Sequence, residues 1–263
     1  MRTLAPTVAL ALVSLSLTAG AALADIVTET VTYEHDGTTL EGYLARDTAV
    51  RGAQPGVLII HQWMGLSDNE RMRAKMLAEM GYVALAADVY GRGVRPQNRE
   101  EASQEAGKYY GDRELFRARL AAGLAELKRQ PGVDPQRLAV IGYCFGGGGA
   151  LELARSGADI AGAVSFHGSL DTPLPAGPGD VQASLLVCHG AVDPYVKPEA
   201  VDGFIAEMEA AGVDYQFIMY SGAVHAFTQK GAGDDPSQGA AYNAAADRRS
   251  WQHMQDFFAE IFE

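Results

Sequence analysis

Val140-Ile141-Gly142-Tyr143-Cys144-Phe145-Gly146-Gly147-Gly148-Gly149 reads as a buried strand that turns sharply into a helix. A cysteine stands at the apex, with glycine two positions before it and two after. This is the Gly-x-nucleophile-x-Gly pattern of a nucleophile elbow, with cysteine where most such sites carry serine. The turn strains its apical residue and brings strand and helix so close that the flanking positions must be small. Glycine-rich strand-to-helix turns also bind phosphates. The dinucleotide fingerprint, however, wants its glycines after the first strand with an acid about 20 residues on, and here they follow a later strand.

Outward from this turn the chain alternates strand, loop and helix. Residues 27–46 look like two antiparallel strands joined at Asp36-Gly37, a hairpin turn signal. Val57 to Ile60 is a continuous apolar run, as expected for a strand covered on both faces. Tyr82 to Ala87, Leu138 to Ile141, Ile160 to Phe166, Ser184 to Cys188 and Tyr215 to Tyr220 follow as further strands. Helices are expected over Glu70–Met80, Asp112–Gln130, Gly146–Arg155, Lys197–Ala211 and Ala240–Phe262. The expectation is one α/β domain over residues 25–263: a mostly parallel twisted sheet with helices on both faces and an antiparallel N-terminal hairpin.

In such a sheet functional groups gather at the carboxyl ends of the strands. Cys144, Asp193 and His225 each lie just past a strand, 49 and then 32 residues apart. Nucleophile, acid, base is the chain order of an α/β-hydrolase triad. The chemistry needs these residue types. A free thiol has a pKa near 8.5 and is only slightly ionised at neutral pH, so a base must take its proton. His225 is that base, and Asp193 would hold the imidazole in the right tautomer. The dipole of the elbow helix also favours a thiolate. The backbone N–H groups of Phe145 and of Trp63, in the loop after the first parallel strand, are the candidate oxyanion donors. Tyr90, Tyr195 and Phe227 flank these loops as candidate pocket residues.

Five segments carry a resemblance: His61-Gln62-Trp63-Met64-Gly65-Leu66, Ala87-Asp88-Val89-Tyr90-Gly91, Gly142-Tyr143-Cys144-Phe145-Gly146-Gly147, His189-Gly190-Ala191-Val192-Asp193 and Val224-His225-Ala226-Phe227. From about Thr28 to the C-terminus the chain resembles the dienelactone hydrolase family of α/β-hydrolases. The resemblance implies an α/β-hydrolase fold, no cofactor, and hydrolysis of a carboxylic ester or lactone through a thioacyl-enzyme on a Cys144–His225–Asp193 triad. Two departures stand out. Gln62 occupies the position of a glutamate that helps activate the cysteine, and glutamine cannot accept a proton. Of two arginines that hold the substrate carboxylate in the family, Arg92 matches one, but Gln229 stands at the other, with Lys230 beside it. These departures make a less anionic ester or lactone the expected substrate. They also motivate an alternative, an exported ligand-binding protein of the same fold with little turnover.

Composition sets the remaining expectations. Arg2, the apolar run Val8 to Leu17 and Ala22-Leu23-Ala24 make residues 1–24 a signal peptide cut before Asp25. Its loss removes one arginine and no acid, taking the formal net charge from −12 to −13. A periplasmic or secreted protein is expected, without stable membrane insertion after cleavage. So acidic a chain is not drawn to nucleic acid. A monomer acting on a small molecule is expected. Cys144 and Cys188 would be two strand spacings apart, about 9.6 Å, too far for a disulfide. His61, His167 and His189 match no short metal-ligand spacing, so no metal is expected. His167 and His189 are read instead as hydrogen-bonded loop residues.

Overall fold

The computed structural model describes residues 24–263; all of the expected signal peptide but Ala24 lies outside them. β1 (Ile26–His35) and β2 (Thr38–Asp47) form the antiparallel hairpin. Asp36 and Gly37 both take positive φ, 47° and 69°, as a two-residue type I′ turn requires. β3 (Gln54–Ile60), β4 (Val83–Ala87), β5 (Val133–Tyr143), β6 (Gly162–Phe166), β7 (Ser184–Gly190) and β8 (Tyr215–Tyr220) complete one sheet in the order β1-β2-β4-β3-β5-β6-β7-β8. β2 pairs antiparallel with β4, and every pair from β4 to β8 is parallel.

Alternate strand residues face opposite layers. On one face Leu58, Ile60, Leu85 and Val140 pack against Phe116, Leu120, Leu151 and Phe204. These come from α3 (Arg113–Arg129), α4 (Phe145–Arg155) and α5 (Pro198–Ala211). On the other, Val57, Ile59, Ala84 and Ile141 meet Leu77 of α1 (Asp68–Glu79) and Met254, Phe257 and Phe258 of α6 (Ala244–Ile261).

Three helices differ from expectation. α1 starts two residues early because Ser67 and Glu70 form a capping box at its N-terminus. α6 starts at Ala244, where the Asn243 side chain accepts from the Ala245 and Ala246 amides. Residues 99–111, given no element in the sequence reading, form α2 (Arg99–Gly111), capped by Asn98. That helix buries only Ala102, Ala106 and Tyr109, too faint a stripe to register as a 3.6-residue period.

The order β4-β3-β5 places the topological switch point between β3 and β5. The first connection runs to one side of β3 and later ones to the other, leaving a crevice at their carboxyl ends. The segments holding Gln62-Trp63 and Cys144 leave the sheet on either side of it.

Candidate active site

Cys144 joins β5 to α4 with φ 55° and ψ −116°, a conformation that costs a non-glycine residue about 1–3 kcal/mol. The glycines around it explain how the turn fits. A Cβ at Gly142 would run into the Gly146 carbonyl, and one at Gly146 into the carbonyls of Ile60 and His61. Backbone cannot give way there as a flexible side chain could. The Cys144 amide donates to Phe166 O at 3.0 Å, which ties the elbow to the end of β6.

His225 Nε2 lies 3.1 Å from Cys144 Sγ, and its Nδ1 lies 2.9 Å from Asp193 Oδ2. The Asp193 side chain has no exposed surface, and its other oxygen accepts from the Tyr195 amide at 2.9 Å. The three residues drawn together from the ends of β5, β7 and β8 thus form one continuous hydrogen-bonded row. Burial works against a charged His225 ring. Negative charge at Cys144, the hydrogen bonds to Asp193 and Cys144, and the Asp193 charge overcome it and push the ring up to about 10.

Two further rows of bonds set the Trp63 peptides. His61 Nε2 accepts from the Val89 amide at 3.2 Å, so in the neutral ring Nδ1 carries the proton and donates to Gln62 O at 2.6 Å. The Gly65 amide donates to the same carbonyl at 3.0 Å. Across a trans peptide C=O and N–H point in opposite directions, so pinning Gln62 O inward turns the Trp63 N–H outward. Trp63 O in turn accepts from the Tyr90 hydroxyl at 3.0 Å. Among the described residues neither the Trp63 nor the Phe145 amide has a backbone acceptor. Both are free to serve a ligand.

A cavity of about 510 Å³ opens over Cys144 and His225, lined also by Gln62, Trp63, Tyr195, Gln229 and Arg99. That volume suits a small molecule. Residues 229–240 wall one side of it. They return to the site through His225 N–H to Gly239 O (3.2 Å) and Ala241 N–H to His225 O (3.0 Å), while the Asn243 amide donates to Phe227 O (3.0 Å). A second cavity of about 520 Å³ lies beyond Gln229 and Gly231. Its buried Arg73 is already engaged by Asp247 at 2.6 Å.

Three expected pocket residues lie elsewhere. Tyr90 is buried against His61, Tyr109 and Phe145, and its hydroxyl serves Trp63 O rather than the cavity. Arg92 is exposed on the loop beside β2, its amide donating to Thr39 O. Phe227 has no exposed surface and packs on His167 and Tyr220. Its neighbour Ala226 takes φ 56° and turns the chain, so His225 faces the cavity while Phe227 enters the core. The cation in the cavity is Arg99, first residue of the unforeseen α2. His189 also differs: its Nδ1 is buried without a hydrogen-bond partner among the described residues. Cys144 and Cys188 are both free thiols. Cys188 is fully buried, which pushes its thiol up to about 12.

The sequence model of the dienelactone hydrolase family matches residues 40–262, a span that includes every group in the row above. The chain belongs to the dienelactone hydrolase family. It is 40% identical to a dienelactone hydrolase-like promiscuous phosphotriesterase from metagenomic libraries; the match covers 90% of this chain and 98% of that one, with a TM-score of 0.84. A Synechocystis protein named "Putative carboxymethylenebutenolidase" is 28% identical, across 89% of this chain and 97% of its own. An uncharacterised protein of Caenorhabditis elegans is 41% identical over 56% of this chain and 94% of its own. Family membership makes the chain a hydrolase with the α/β-hydrolase fold.

Proposed function

We propose that the protein cleaves a carboxylic ester or lactone through a thioacyl-enzyme on Cys144. The observation that carries this reading is the position of His225, within hydrogen-bond reach of both Cys144 Sγ and Asp193. In the first half-reaction Sγ attacks the carbonyl carbon while His225 Nε2 holds the proton taken from the thiol. The amides of Phe145 and Trp63 hold the oxyanion. As the C–O bond breaks, His225 returns the proton to the leaving alcohol. Water then adds to the thioester, with His225 as base, and the acid departs from Sγ. A single guanidinium, Arg99, faces the cavity, which favours a neutral or singly anionic substrate.

Short p-nitrophenyl esters test the reading. Turnover is expected in the parent and lost in Cys144→Ala and His225→Ala, and equal turnover in all three would sink Cys144 as nucleophile. Phosphotriester cleavage is a second reading, favoured by the activity named for the 40% identical relative. Paraoxon hydrolysis that survives Cys144→Ala would separate it from this site. We also propose that residues 1–24 direct export and are removed. An exported protein whose sequence starts at Asp25 supports this, and one that retains Met1 opposes it.

A further inference from the structure

Beyond the Cys144–His225–Asp193 row, a second set of bonds converges on His167. This residue follows β6 at φ 41° and is fully buried. Its Nδ1 shares the Cys144 amide hydrogen with Phe166 O, at 3.2 Å against 3.0 Å. A neutral ring that accepts at Nδ1 carries its proton on Nε2, and Nε2 lies 2.8 Å from Thr228 Oγ1, so it donates there. Burial first, then the neighbouring His225, hold His167 well below the ordinary histidine range. Thr228 is itself buried, three residues after His225. Its carbonyl accepts from Arg73 Nη2 at 3.2 Å, and Arg73 is fixed by Asp247.

We propose that His167 is a positioning residue, a strut between the main chain of the nucleophile and the loop that carries the base. The proposal rests on the reading of Cys144 as nucleophile. Cys144 leaves β5 and His225 follows β8, with β6 and β7 between them. Main-chain bonds hold the elbow to the end of β6 through Cys144 N–H and Phe166 O, but among the described residues none joins the elbow to the loop that carries His225. His167 stands on the intervening β6 and bonds in both directions, to the elbow through Nδ1 and to the base loop through Nε2. Both bonds are directional, so the ring cannot turn without losing one. In this role it helps to keep Sγ and Nε2 at their 3.1 Å separation. Its ring meets His225 edge-on at 5.2 Å, and because it is neutral it places no second positive charge against an imidazolium there.

Three variants separate this role from simple core filling. His167→Leu removes both bonds, His167→Asn keeps an acceptor near the Nδ1 position, and Thr228→Val removes only the acceptor of the second. The measurements are kcat and KM on p-nitrophenyl acetate, the pH profile of Cys144 alkylation by iodoacetamide, and the melting temperature. His167→Leu is expected to lower kcat roughly 10- to 100-fold, the scale of a small misplacement of reacting groups, with KM little changed. Its alkylation profile should differ from the parent's, because the thiol no longer meets the imidazole at 3.1 Å. His167→Asn should recover most of kcat, and Thr228→Val should lower kcat without lowering the melting temperature. Parent-like kcat in His167→Leu overturns the proposal, as does His167→Asn no better than His167→Leu. If His167→Leu does not fold, Thr228→Val decides: a parent-like kcat and alkylation profile overturns the strut. Failure of the nucleophile reading shows separately, as turnover that survives Cys144→Ala.

Discussion

Gln62 is held by a carboxylate instead of being one. Its Nε2 donates to Glu70 Oε1 at 3.4 Å, and the buried Glu70 also accepts from the Ser67 amide and hydroxyl and from Asn69. Gln62→Glu would set two carboxylates side by side out of water, and burial and like charge would both raise the new group's pKa. A carboxyl raised in the folded state costs stability as pH climbs above its unfolded value, about 4.3. Melting temperatures should therefore match the parent near pH 4 and fall below it progressively toward pH 8. A deficit independent of pH would rule out the Glu70 pairing. At the elbow, Gly146→Ala forces a Cβ onto backbone carbonyls and should cost about 3 kcal/mol, the upper part of the usual overpacking range, measured by denaturant unfolding. Cys144, Asp193 and His225 were legible because strand ends and chain order alone place them. Tyr90 and Phe227 were not, because sequence adjacency to a site residue does not say which way a side chain turns. A single positive φ at Ala226 reverses the answer for Phe227.

At the scale of elements, α2 carries the charge that defines the cavity. Arg99→Ala should raise KM for the p-nitrophenyl monoester of glutaric acid roughly three- to tenfold, the loss of one charge-assisted contact, and leave p-nitrophenyl acetate unchanged. Arg92→Ala should alter neither. Equal effects of both substitutions would remove Arg99 from substrate recognition. α3 and α4 are joined by another feature the sequence hides. Glu152 of α4 is almost fully buried among Arg113 and Arg117 of α3 and Arg155 of its own helix. Glu152→Ala takes from buried Arg113 its carboxylate, while Arg155 keeps Glu207 and Arg117 keeps Leu174 O, and should cost about 3 kcal/mol, again read by denaturant unfolding. Periodicity assigned both helices correctly, yet it treats a glutamate on a helix as a solvent-facing residue. Nothing local in Leu151-Glu152-Leu153 distinguishes an exposed carboxylate from one paired across an interface. α2 was invisible for the opposite reason: it buries little, so its pattern carries little signal.

For the whole molecule, the fold was legible nearly to the residue in β8 and in the hairpin turn, where apolar runs and turn residues are unambiguous. The switch point between β3 and β5 was not, since strand order is a matter of packing rather than of pattern. Assembling the site from three strand ends couples its ionisation to stability. His225 is pushed up to about 10 in the folded state against about 6.5 unfolded. A group raised on folding contributes fully below its unfolded value and loses that contribution as pH rises through the folded one. The melting-temperature difference between the parent and His225→Gln should therefore shrink steadily from pH 6 to pH 10. Charge at Cys144 is the largest influence raising His225, so in Cys144→Ala the same decline should start from a smaller difference and be complete at lower pH. A difference that grows with pH would contradict the assignment.

The 229–240 segment hangs from the main chain of His225 at its far end, through Gly239 and Ala241, and a Cβ on Gly239 would press on Pro194 and Tyr195 beside the acid. The wall of the cavity and the His225 imidazole are thus joined through the main chain of one residue. A bulky substrate that pushes the wall outward drags the base with it. On the proposed reading, reshaping the wall to admit a larger ester should therefore alter kcat as well as KM.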